Sequence, residues 1–173
     1  MTSKKVTPSC VHLLPHITPN WAFAEHILNV ASGDTTEFSQ EQLLNRYQQI
    51  VAVTSYDPDS QSEDVAKNIS DIKDLHFCVV LCANVLNTKK DLTPLLSELA
   101  ELNFKCCVIQ IDEGNGTGKG RKSGSRHQRN ELVSDYIPIL QQYFPAFDVT
   151  LHRADKCITI VKGDKFLNLA HED

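Results

Sequence analysis

"HFCVVLCANVL", His76–Leu86, is a near-continuous apolar run. It has strand length, and nothing in it alternates with water-facing positions. Consecutive apolar residues bury both faces of a strand, which is the situation of a central strand with helices on both sides. "KCCVIQID", Lys105–Asp112, repeats the pattern. Between the two, "LTPLLSELAEL", Leu92–Leu102, carries its leucines at helical spacing. The centre of the chain therefore predicts strand, helix, strand.

Working outward, the same alternation continues. Upstream, "HILNVAS" (His26–Ser32) predicts a strand stopped at Gly33-Asp34, "TEFSQEQLLNRYQQ" (Thr36–Gln49) a helix capped by Asp34 or Thr35, and "IVAVTSY" (Ile50–Tyr56) a β-branched strand ended by Asp57-Pro58-Asp59. Residues 59–75 are polar and weakly patterned, with room for one short helix. Downstream, "NELVSDYIPILQQYF" (Asn130–Phe144) predicts a helix with Asn130 as N-cap. "DVTLHR" and "KCITIVK" predict a closing hairpin turned at Ala154-Asp155. Three prolines (Pro8, Pro15, Pro19) predict that residues 1–25 are irregular, with a short helix at best. The domain then spans 26–163, followed by a tail at 164–173. Strands alternating with helices imply an α/β Rossmann-like three-layer sandwich, mostly parallel, with a C-terminal antiparallel hairpin.

Composition narrows the class. The chain has 173 residues, 41% hydrophobic and 23% charged, as befits a single globular domain. A net charge of −5 does not advertise nucleic-acid binding for the whole molecule, yet five of its 17 Lys and Arg residues fall between Lys119 and Arg129. That concentration keeps a local anion site in view. None of the six cysteines forms a CxxC pair, and four lie inside apolar runs, where Cys is a small hydrophobe. A disulfide framework and a zinc site are not expected. No segment approaches the length of a membrane span, no signal sequence is visible, and the thiols suggest a reducing, cytoplasmic setting.

The basic cluster lies in "EGNGTGKGRKSGSRHQRN", Glu113–Asn130, which also holds five of the seven glycines. It is not a Walker A loop. Counting back from Gly118-Lys119 puts Glu113 where the first glycine belongs, and Gly120 where the magnesium-binding hydroxyl belongs. No GxGxxG follows the first strand either, which argues against a dinucleotide-dependent dehydrogenase. Ligands of such sheets bind beyond the carboxyl ends of the strands. That rule marks Ala31–Thr35, Tyr56–Asp59, Asn84–Asn87 and Asp112–Asn130.

"HILNVASGDT", "IVAVTSYDP" and "FCVVLCANVLN", in this order of elements, resemble the core of class I S-adenosylmethionine-dependent methyltransferases over Ile27–Lys162. A more specific resemblance is to bacterial and phage methyltransferase-like proteins. These carry a DYGCGRG-like turn, a YDP second strand, a VLN fourth strand and a glycine-rich segment after the fifth. The corresponding pieces here are "NVASGDT", "YDP", "NVLN" and the Glu113–Asn130 stretch. The resemblance implies S-adenosylmethionine as cofactor, with Asn29, Ala31, Gly33, Asp57 and Asn84 around it. Asn29 stands where the family has an acid and Ala31 where it has a glycine, so the first motif is degenerate. The strand that should precede His76 is poorly marked, implying a trimmed fold. The loop after the fifth strand becomes a mobile acceptor-side flap. Asn87, Lys119, Arg126, Gln128 and Asn130 are its substrate-binding candidates, for nucleic acid or another phosphate-bearing acceptor.

A nitrogen or oxygen acceptor calls for a group that orients it or takes its proton. Asp112 and His127 are the candidates, with Glu113 nearby. The paired-proline motif of DNA amino-methyltransferases is absent, with "ANVL" in its place, and Cys82 has no neighbouring proline of the kind that C5 chemistry uses. No metal is implied. The competing expectation is a methyltransferase-like binding module that has lost catalysis and acts through protein or nucleic-acid partners.

Overall fold

The computed structural model describes residues 8–30, 36–123 and 126–163; Ala31, Gly33 and the 164–173 tail lie outside them. Six strands form one sheet: β1 (His26–Val30), β2 (Ala52–Tyr56), β3 (His76–Ala83), β4 (Asn103–Gln110), β7 (Phe147–His152) and β8 (Cys157–Lys162). Their spatial order is β2-β1-β3-β4-β8-β7. β2, β1, β3 and β4 are parallel, while β8 runs antiparallel to both β4 and β7. Two short strands, β5 (Arg121–Ser123) and β6 (Arg126–Gln128), pair separately as a hairpin. This is the three-layer α/β sandwich that the sequence predicts.

The apolar runs explain the layers. Along β3 and β4, side chains alternate between two cores. Val79, Leu81, Cys106 and Val108 face helices α1 (Ser9–Ile17) and α2 (Thr36–Arg46). Val80, Cys82, Cys107 and Ile109 face α3 (Thr93–Glu101) and α4 (Ile137–Tyr143). Each fully buried Leu or Ile contributes roughly 2 kcal/mol.

Two expectations need correction, and one is met at its upper limit: the N-terminal segment holds a short helix, Ser9–Ile17, with Cys10, Val11 and Leu14 buried. Pro8 stands just ahead of the first turn, where a missing N–H costs nothing. Pro15 sits near the end and deprives the Val11 carbonyl of its helical donor. The Tyr47 hydroxyl supplies a replacement at 2.5 Å. Asn130 is not an N-cap: its φ is +57°, and a 3₁₀ turn at Val133–Tyr136 precedes α4. Leu132 N–H instead finds Asp135 Oδ2 at 3.1 Å, and Pro138 fixes the start of α4. Finally, the β3 strand ends at Ala83, because Asn84 turns the chain with φ +58°.

Ahead of β3, residues 59–75 hold a 3₁₀ turn at Ile69–Asp71 and a single parallel bridge, Tyr56 to Ala66. Two hydrogen bonds make that bridge, Asp57 N–H to Ala66 O and Ala66 N–H to Ser55 O, each 2.9 Å.

Candidate functional site

Four parallel strands end along one edge. The register puts Asn29 of β1 level with Ser55 of β2 and Leu81 of β3, and Ala83 level with Gln110 of β4. Asn29, Asp57, Asn84 and Asp112 therefore leave the sheet on the same side. Asn29 and Asp57 are buried. Asp57 N–H is spent on the bridge to Ala66, and its Oδ1 accepts the Asp59 N–H at 2.9 Å, closing the Asp-Pro-Asp turn.

Asn84 is the unusual member. Its N–H donates to Gln110 O at 2.9 Å, which fixes the residue against β4. Its Oδ1 is buried and has no hydrogen-bond partner. An amide oxygen left so costs about 1–3 kcal/mol. Together with the left-handed backbone, this is a local arrangement that folding alone does not favour.

The acceptor-side candidates are brought together, but mostly to bind one another. Asn87 is buried; its Nδ2 donates to Gln128 Oε1 at 3.1 Å and its Oδ1 accepts Asp112 N–H at 3.3 Å. Gln128 Nε2 donates in turn to Asp112 O at 3.2 Å. Asn130 Oδ1 accepts Asn115 N–H, and its Nδ2 donates to Lys119 O at 2.9 Å. Asp112 is exposed, with Oδ1 receiving Gly114 N–H at 3.0 Å. Half-buried His127 is opposite Lys122 in the hairpin and packs over Gly120, where a Cβ would come within 2.8 Å of Nε2. Lys119 is exposed. Arg126 is in β6, and its side chain lies outside the described residues.

The foot of the glycine-rich segment is thus stitched to the β3–α3 connection and to the residue that follows β4. Gly114 shows how tightly: its φ is +57°, and a Cβ there would collide with Asn130 Oδ1. Sequence reasoning missed the residue that completes the stitching. Arg129 Nη1 donates to Lys89 O and Lys90 O at 3.0 and 2.9 Å, and its Nη2 pairs with Glu131 at 3.1 Å. Its guanidinium lies 5.9 Å from the Tyr136 ring centre. Glu113 was also more than an acceptor-side acid: Oε2 takes Val133 N–H at 2.8 Å and Oε1 faces Lys156 Nζ at 3.8 Å. Partners some 40 residues apart leave no local signal. On the α3 side of the edge, Tyr56 donates its hydroxyl to Glu98 at 2.6 Å. Burial, then that carboxylate, push the Tyr56 hydroxyl pKa well up.

Among the described residues no group of three or more His, Cys, Asp and Glu is arranged to hold a metal, and no helix is long and apolar enough to cross a membrane.

No family model matches the sequence, and no curated protein matches it either. Solved structures do resemble it. A candidate S-adenosylmethionine-dependent methyltransferase from Listeria monocytogenes aligns with TM-score 0.55 and 12% identity over 88% of this chain and 97% of that one. A candidate methyltransferase from Bacillus halodurans aligns at 0.54 and 14% over 83% and 71%. A sugar N-methyltransferase from a Streptoalloteichus species aligns at 0.50 and 14% over 81% of each. At such identities the shared property is the fold.

Proposed function

We propose that this chain, which has the class I S-adenosylmethionine-dependent methyltransferase fold, binds S-adenosylmethionine beyond the carboxyl ends of β1, β2 and β3 and acts as a methyltransferase. The observation that carries the reading is Asn84 Oδ1, a buried acceptor without a partner at the edge where this fold class holds its ligands. S-adenosylmethionine brings an ammonium, ribose hydroxyls and an exocyclic amine, so donors to meet that oxygen are plentiful. Asp57, at the end of β2, is assigned to the ribose hydroxyls. Asn29 offers its amide from β1, where an uncharged group takes the place of an acid. The assignment extends to Ala31 and Gly33, which follow β1 in the sequence.

Bound there, S-adenosylmethionine supplies an electrophilic methyl group on a sulfonium sulfur. The protein's task is then alignment, which can be worth several kcal/mol. Asp112 is the exposed carboxylate on the acceptor side and is assigned to orient the acceptor and hold its proton. His127 is the second candidate for that role. Lys119, Arg126 and their basic neighbours suit an acceptor that carries phosphate, and Gln128, Asn130 and Asn87 keep their loop in place.

That last point favours a second reading. The amides of Asn87, Gln128 and Asn130 spend their hydrogen bonds inside the protein. A binding module without catalysis would use the same architecture. Isothermal titration with S-adenosylmethionine and S-adenosylhomocysteine tests both. No heat at millimolar ligand sinks the proposal; binding with no turnover on any acceptor, together with a stable partner in pull-downs, selects the module.

A further inference from the structure

We infer that the β5–β6 hairpin is a docking arm for the sugar–phosphate backbone of a polynucleotide, so that the acceptor arrives as part of a nucleic-acid strand rather than as a free nucleotide. The inference rests on the reading of this edge as the acceptor side, and narrows it.

Charge is the first support. From Gly114 to Asn130 there is no Asp or Glu, while Lys119, Arg121 and Lys122 are all exposed. Two carboxylates at the arm's foot are ion-paired elsewhere, Glu113 with Lys156 and Glu131 with Arg129. Neither ion pair among the described residues involves the three arm cations. The chain as a whole carries −5, so this acid-free basic segment is the favoured landing place for a polyanion.

Geometry is the second. Arg121 and Lys122 are consecutive in β5, so their side chains leave opposite faces of a two-stranded ribbon. Lys119 precedes them by two residues, and Lys90 is exposed on the β3–α3 connection that Arg129 grips. A site for one phosphate gathers its cations to a point. These are strung along an arm, as suits charges spaced along a strand. Arg129 N–H to Asn87 O at 2.9 Å, with the Asn87–Gln128 and Arg129–Lys90 bonds, holds the arm beside the ligand edge. A strand lying on it passes that edge.

The test is fluorescence anisotropy of the full chain with labelled single-stranded RNA, single-stranded DNA and duplex DNA of about twenty nucleotides, between roughly 50 and 200 mM salt. Binding of at least one polymer is expected. A single strand lying on one face of the ribbon meets two of the arm cations, so log affinity falls with log salt at a slope of about −1.4. The variant Lys119→Glu/Arg121→Glu/Lys122→Glu is expected to lose about tenfold or more in affinity, with an unchanged melting temperature. Failure of every polymer to bind overturns the inference, as does equal binding by the variant or equally tight binding of ATP. S-adenosylmethionine titration of the same two proteins keeps the questions apart. No cofactor binding alongside charge-dependent polymer binding sinks the methyltransferase proposal and leaves the arm standing.

Discussion

Asn84 combines two features that an unliganded fold has no use for. Its φ of +58° strains a residue bearing a Cβ, and its side-chain oxygen is buried without a donor. Replacement by glycine removes both penalties. Asn84→Gly is therefore expected to melt at the same temperature as the parent or higher. Its S-adenosylmethionine affinity is expected to fall about tenfold, the effect of one lost hydrogen bond of roughly 1.4 kcal/mol. Calorimetry and a thermal melt on one preparation decide it, and a less stable variant with full affinity would make Asn84 a structural residue. Asn130 is the contrasting case. It too is left-handed, at φ +57°, but its amide is satisfied by Asn115 N–H and Lys119 O. Asn130→Ala loses both bonds and keeps the backbone strain, a cost of about 2–3 kcal/mol. Asn130→Gly loses only the bonds. Urea unfolding should rank the parent above Gly and Gly above Ala, and trypsin should nick the Lys119–Lys122 region faster in both variants.

At the scale of elements, α1 depends on a side chain from another helix's end. Pro15 cannot donate to the Val11 carbonyl, and the Tyr47 hydroxyl does so instead. Tyr47→Phe leaves that buried carbonyl unmet, which costs about 1–3 kcal/mol. Urea titration should show the loss, whereas Tyr143→Phe, on a half-buried ring at the end of α4, should be near neutral. The same helix marks the limit of reading from sequence. Strands such as Val79–Cys82 and Cys106–Ile109 announce themselves because burial on both faces demands apolar residues at every position. Helix α1 does not, because its prolines signal irregular chain and the donor that replaces the one Pro15 lacks comes from Tyr47, 36 residues beyond the Val11 carbonyl. The site divides in the same way. Strand-end residues such as Asp57, Asn84 and Asp112 follow from where strands stop. The stitching of Asn87 to Gln128, or of Arg129 to the carbonyls of Lys89 and Lys90, joins positions about 40 residues apart and is set by packing alone.

Over the whole molecule, both cores are filled partly with thiols. All six cysteines are free, and five of them are buried: Cys10, Cys82, Cys106, Cys107 and Cys157. Burial pushes each thiol up from an ordinary value of 9.0, to about 12 for Cys82 and Cys106 and about 11 for Cys157, with Cys10 and Cys107 also strongly raised. Folding thus holds these groups protonated where the unfolded chain releases the proton. Above pH 9 the native state binds more protons than the unfolded one, so stability falls as pH rises. It is fully present below that pH. Each thiol kept neutral removes roughly 1.4 kcal/mol per pH unit in that window, against a total stability of about 5–15 kcal/mol for a domain of this kind. Guanidinium unfolding in the presence of a reductant should give a flat midpoint from pH 7 to 8.5 and a steep decline from about pH 9. Cys82→Val/Cys107→Val deletes two of the titrating groups with little change of volume, and is expected to flatten that decline and shift it to higher pH. If the double variant declines as steeply as the parent, the alkaline loss has another source, the raised Tyr56 hydroxyl first among them, and Tyr56→Phe becomes the variant whose profile should flatten.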